Sequence, residues 1–155
     1  MSTTTFILLL VALGVAALLG VVCLFVTLLL TFLIRLSGWP RLAELYPARP
    51  GVPAPQFVRQ TAMVGPVQFR RGLSFGLSPQ GLLLSFSATP PPIFRPILPV
   101  QPPLLIPWQD LKVTGERLLY WRSATVLSIG DPQVTSLTIF TDLLAAIRPY
   151  LAPPM

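Results

Sequence analysis

The sequence predicts one N-terminal membrane-spanning helix followed by a small, mainly β domain that ends in a short helix. Three observations predict this. From Phe6 to Ile34 the chain carries no charged residue. From Phe57 it breaks into short apolar and aromatic runs separated by Gly, Pro and polar positions, the texture of antiparallel strands. After Phe140 the stretch DLLAAIRPYLA places Leu143, Leu144 and Ile147 on one helical face.

Composition supports the first element. Hydrophobic residues make up 53% of the 155-residue chain and charged residues only 10%, against about 25% charged in soluble domains. Part of this chain therefore faces something other than water. At about 1.5 Å per helical residue the run Phe6–Ile34 exceeds the roughly 30 Å hydrocarbon thickness of a bilayer. A cleaved leader would show a cation before an apolar region of about 7–15 residues. This run is longer and no cation precedes it, so a retained anchor over 1–36 is expected. Arg35, Arg41 and Arg49 follow the helix, which puts the C-terminal side in the cytoplasm and the N-terminus outside. Trp39 and Tyr46 have the amphipathic rings that suit the headgroup layer there. Gly14 and Gly20, with neighbouring alanines, form a small-residue strip suited to helix–helix packing.

Residues 37–56 read as a short helical stub and a Pro-rich linker. Pro40 suits the first turn of a helix, and RLAELY continues it until Pro47. Leu42, Leu45 and Tyr46 share a face, so the stub either lies along the membrane surface or extends the spanning helix beyond a kink. Residues 57–152 form the β domain, with strands expected near 57–62, 66–71, 73–77, 82–87, 104–108, 110–114, 117–122, 124–129 and 134–140. SPQG at 78–81 and IGDP at 129–132 are the hairpin turns, with Gly81 and Gly130 free to take a positive φ. Thr141 is the expected N-cap of the closing helix, Asp142 sits favourably at its positive end, and Pro149 interrupts it.

The domain contains an unusual arm, residues 88–107, where prolines alternate with Ile, Leu, Phe and Val. Prolines remove the donors a sheet ladder needs and favour extended conformations that lose little entropy on docking. Phe94, Arg95, Ile97, Leu98 and Val100 are the candidate contacts of this arm with a partner or a membrane. The competing reading is that it closes the domain's own core.

The order G-L-x-L-x-F (Gly81 to Phe86), an apolar loop, I-P-W-x-D-L (Ile106 to Leu111), paired hairpin strands and a final helix resembles bacterial pleckstrin-homology-like domains. SGWPRLAELYPA (Ser37 to Ala48), FRP (Phe94 to Pro96) and PPLLIPW (Pro102 to Trp108) are similar to a family of small bacterial membrane proteins. The resemblance covers roughly residues 37–150 and implies a transmembrane helix plus a pleckstrin-homology-like β domain, an antiparallel curved sheet or partial barrel with a C-terminal helix. It implies no activity, because that fold serves mostly as a binding scaffold. Lipid-binding members hold phosphates with a basic cluster in the first hairpin; here that region offers only Arg70 and Arg71.

The chemical inventory is thin. There is no His, and the five carboxylates each have a local structural role. The one thiol, Cys23, lies in the span. Asp110 and Glu116 could come close across a turn, but nothing around them suggests a polar cleft, and they read as solvated turn residues. No phosphate-cradling Gly loop, metal set or cofactor site is read, and the net charge of +6 is scattered rather than clustered, which favours membrane over nucleic acid. The expectation is a non-catalytic accessory or scaffold subunit of a bacterial inner-membrane complex, respiratory or photosynthetic in type, with other subunits as partners. A membrane-tethered lipid-headgroup-binding domain is the alternative, with anionic lipid as partner.

Overall fold

A computed structural model describes residues 2–49, 51, 54–87 and 101–151. The apolar run forms α1, Thr3–Ser37, started by Ser2, whose hydroxyl accepts from the Thr5 amide at 3.3 Å. The helix is long and apolar enough to cross a membrane, and none of its apolar window is buried among the described residues. It ends at Gly38 in the left-handed conformation, φ 82°, whose amide closes on the Arg35 carbonyl at 3.2 Å.

The next helix begins at once. α2, Trp39–Leu45, has Pro40 in its first turn, as expected. Its burial corrects the sequence reading. Trp39 and Leu42 are completely buried, with Ala43 and Tyr46 packed against the same core. Positions 39, 42, 43 and 46 are the i, i+3, i+4, i+7 face of a helix. The stub therefore plugs the β domain rather than lying on the membrane, and Trp39 is unavailable to headgroups. Leu45, assigned to the same face as Leu42, is exposed instead.

Seven strands make a single antiparallel sheet in the order β4-β3-β2-β1-β7-β6-β5. They are β1 Phe57–Val64, β2 Val67–Ser78, β3 Gly81–Phe86, β4 Leu104–Pro107, β5 Leu111–Leu119, β6 Arg122–Ile129 and β7 Thr135–Phe140. β1 and β7 share the pairs Met63–Thr138 and Val64–Leu137, and the sheet as a whole curls into a half-barrel with β4 and β5 as its edges. Leu73, Phe75, Leu82, Leu84 and Ile106 from one half meet Leu127, Ile129, Leu137 and Ile139 from the other. α3, Thr141–Ile147, closes the core with Leu143, Leu144 and Ile147. This is the expected long apolar helix plus pleckstrin-homology-like β domain.

Several boundaries differ from expectation. The runs 66–71 and 73–77 are one strand, carried past Gly72 by an irregularity at Arg71, whose φ is 50°. Likewise 110–114 merges with the start of 117–122, and the rest of that run is a turn at Tyr120 and Trp121. Gly130 takes the expected positive φ, 87°, but Gly81 does not. Gly81 is required by close approach: a Cβ there would lie 2.3 Å from the Ile106 carbonyl oxygen. Thr141 does not cap α3; its hydroxyl donates to the Ser123 carbonyl at 3.0 Å, and Phe140 holds the cap position. Pro149 falls in the 3-10 turn Arg148–Tyr150 that follows α3.

Candidate functional site

The junction of helix and sheet is the most elaborated part of the surface. Ser37, last residue of α1, is buried; its hydroxyl donates to the Ile34 carbonyl at 2.6 Å and accepts from the Trp39 amide at 3.3 Å. Its own carbonyl accepts from the Thr135 hydroxyl of β7 at 3.1 Å. Gly65, in the β1–β2 turn with φ 58°, lets these backbones meet: a Cβ there would lie 3.1 Å from the Ser37 oxygen. Gly38 alone separates α1 from the plug helix α2. The long apolar helix is thus fixed to the domain without a slack linker.

The roots of the Pro-rich arm sit at this junction. Phe86, at the end of β3, packs its ring 4.5 Å from Trp39, and Phe69 meets Phe86 edge-on at 5.4 Å. Ser87 is tied down by its amide to the Gly72 carbonyl, by its hydroxyl to Ser74 at 2.8 Å, and by the Arg59 amide at 2.9 Å. On the return side the Ala48 amide donates to the Pro103 carbonyl at 3.2 Å, and Leu105 donates to Tyr46 at 3.0 Å. The return root is held by residues just beyond α1, and the outgoing root by β1 and β2 with Phe86 packed on Trp39. The candidate contacts Phe94, Arg95, Ile97, Leu98 and Val100 lie outside the described residues. Tyr46 is half-buried beside β4, with its hydroxyl raised above its usual pKa by burial first, then by the hydrogen bond and charge of Asp110.

Arg70 and Arg71 are both exposed. Arg70 places its guanidinium 5.7 Å from the centre of the Tyr120 ring, while the Arg71 amide is held by the Thr61 hydroxyl at 3.1 Å. Gly14 and Gly20 face open space, with nothing within 4 Å of a Cβ at either. Asp110 and Glu116 do not meet across a turn. Asp110 precedes β5 and Glu116 lies along it, so the strand rise separates them by roughly 20 Å. A shallow recess lined by Arg41, Tyr46, Asp131 and Gln133 adjoins the junction; its one carboxylate is already paired with Lys112 at 3.5 Å.

Sequence reasoning missed the tip of the β5–β6 hairpin. Tyr120 and Trp121 occupy the two central turn positions with φ 49° and 61°, and Trp121 is 98% exposed. The signal was the pair of aromatics between Arg117 and Arg122, read instead as strand because no Gly or Asn marked a turn. Compared with protein-family models, with curated proteins and with solved structures, the chain matches none.

Proposed function

We propose that this protein is a single-span membrane protein with its β domain in the cytoplasm of a bacterium. There it serves as a non-catalytic accessory subunit that holds neighbours in a larger membrane complex. The observation that carries this reading is the slack-free junction: Ser37 buried and bonded by Thr135, with Trp39 and Leu42 as core residues of the domain. A tether that only keeps a domain near a membrane needs no such coupling, whereas a scaffold must fix the domain relative to its helix. The Arg flank after α1 supports the orientation. The arm's roots beside the helix exit support contact with whatever packs around α1.

Purification of the tagged full-length chain from its native membranes in mild detergent, followed by mass spectrometry, tests this. A stoichiometric set of membrane subunits is expected, and their identity decides between respiratory and photosynthetic assemblies. The set is lost when Phe94, Ile97 and Leu98 are all changed to Ser, while the domain's unfolding midpoint holds. Recovery of the chain alone with bound anionic lipid would replace this reading with the lipid-headgroup one.

A further inference from the structure

The β5–β6 hairpin ends in a turn that is unfavourable for the residues it contains. Two-residue hairpin loops with positive φ at both central positions select Asn-Gly or similar pairs, because a bulky side chain crowds the backbone there. Here the pair is Tyr120-Trp121, at φ 49° and 61°. The strain is not repaid by burial: Trp121 is 98% exposed, Tyr120 50% and the adjoining Leu118 71%. Backbone strain that presents side chains to solvent marks a place where those side chains are used outside the fold.

The surroundings define what they meet. Arg70 stands over the Tyr120 ring, Arg122 stands 4.5 Å over the Phe140 ring, and Arg117 is exposed one strand position before Leu118. Against these three cations stand Glu116 on β5 and Asp142, which is already bonded to Arg122 at 2.9 Å. From Lys112 to Leu118 every residue of β5 is exposed, and Val113 adds a second apolar side chain to this edge. Trp and Tyr flanked by Arg is the chemistry of the bilayer interface: rings at headgroup depth, forked donors on lipid phosphates.

We infer that this ribbon lies against the bilayer that holds α1, with Tyr120 and Trp121 inserted among the headgroups of an anionic lipid surface. The inference rests on the membrane-spanning reading of α1. Size favours lipid over protein. Three exposed side chains offer a few hundred Å² at most, below the roughly 800 Å² per partner of a standard protein interface. A weak contact suffices for a lipid surface, because the anchor keeps the domain beside it at high effective concentration. β6 sets the tip about 23 Å from the end where α1 docks, so the contact requires the ribbon to run along the membrane plane. It would then give the domain a second point of contact with the membrane, far from the helix junction.

The test uses the full chain in nanodiscs of phosphatidylcholine with and without phosphatidylglycerol, the lipids brominated near the headgroup in a parallel set. Trp emission is compared between the wild type and Trp121→Phe, so the difference reports Trp121 alone. The expected result is that the Trp121 component is quenched by brominated lipid and shielded from acrylamide, more so with phosphatidylglycerol. Tyr120→Asn with Trp121→Gly supplies the preferred turn pair, so its unfolding midpoint holds or rises. A probe on Leu118→Cys, in a Cys23→Ala background, is shielded by lipid in the parent and exposed in that variant. Acrylamide access to Trp121 as free in nanodiscs as in detergent overturns the inference. So does protection that appears only in native membranes and not in pure lipid, which would assign the tip to a protein. Resistance of the chain to alkaline extraction from membranes is scored separately, so failure of α1 to insert is distinguished from failure of the tip to touch.

Discussion

The Thr135 hydroxyl donates to the backbone carbonyl of Ser37 at 3.1 Å, joining the first residue of β7 to the last residue of the apolar helix. This bond spans most of the chain, and it fixes how the helix leaves the domain. Thr135→Val keeps the shape and removes the donor, so a loss of about 1 kcal/mol is expected in detergent unfolding. Gly65→Ala goes further, because its φ of 58° is hostile to a side chain and the new Cβ would lie 3.0 Å from the Thr135 hydroxyl. A loss of roughly 1–3 kcal/mol is expected there. Spin labels on α1 and on the β2–β3 turn would show a broadened distance distribution in both variants. An unchanged distribution would mean that the junction does not hold α1.

Trp39 packs on Phe86 at 4.5 Å and is fully buried, yet its indole N–H has no acceptor among the described residues. A buried unpaired donor costs about 1–3 kcal/mol. Trp39→Phe removes that donor along with some packing, so the two changes offset and the net effect on stability is expected within about 1 kcal/mol. Trp39→Ala retains no such compensation and should cost about 3–5 kcal/mol. Denaturant unfolding of both variants checks this. A Phe variant as damaged as the Ala variant would show that the N–H is satisfied after all.

The long helix and the curved antiparallel sheet are legible in the sequence, one as an unbroken charge-free run and the other as short apolar runs between turn residues; the strand number is not, because two pairs of expected strands are continuous. The stub could not be placed. RLAELY shows the same amphipathic face whether it rests on lipid or fills a barrel, and only the folded sheet reveals that Trp39 and Leu42 have a core to enter. The Tyr120-Trp121 turn was hidden for the opposite reason. Its residues prefer strands, and the hairpin imposes on them a backbone that their side chains disfavour. A turn between Asp110 and Glu116, which could bring them close, is absent because β5 runs on through Gly115.

Gly81 opens β3 and Gly115 lies within β5, and the structure predicts opposite effects of adding a methyl group at the two. At Gly81 the Cβ would lie 2.3 Å from the Ile106 carbonyl oxygen, so Gly81→Ala must push β4 off β3. A loss of about 3 kcal/mol is expected, with faster hydrogen exchange along Leu104–Pro107. At Gly115 nothing lies within 4 Å and φ is not positive. Gly115→Ala should leave the fold intact and add about 0.5 kcal/mol by restricting the unfolded chain. Equal effects of the two substitutions would contradict the β3–β4 pairing.

Tyr46 links the plug helix to the far side of the barrel: Leu105 donates to its carbonyl, and its hydroxyl lies 3.2 Å from where a Gly130 Cβ would sit. Burial, then the hydrogen bond and charge of Asp110, raise its pKa above the usual value near 10. The folded state therefore holds the phenolic proton more tightly than the unfolded state does. Linkage gives the sign: the contribution is fully present below pH 10 and is lost as pH rises through the folded-state pKa. Stability should fall on the alkaline side with a slope that Tyr46→Phe reduces, while the two proteins run parallel between pH 6 and 9. Thermal unfolding across that range and on through the alkaline limb, with phenolate absorbance recorded alongside, reads both. An identical alkaline slope in the Phe variant would place the titrating group elsewhere and detach Tyr46 from Asp110.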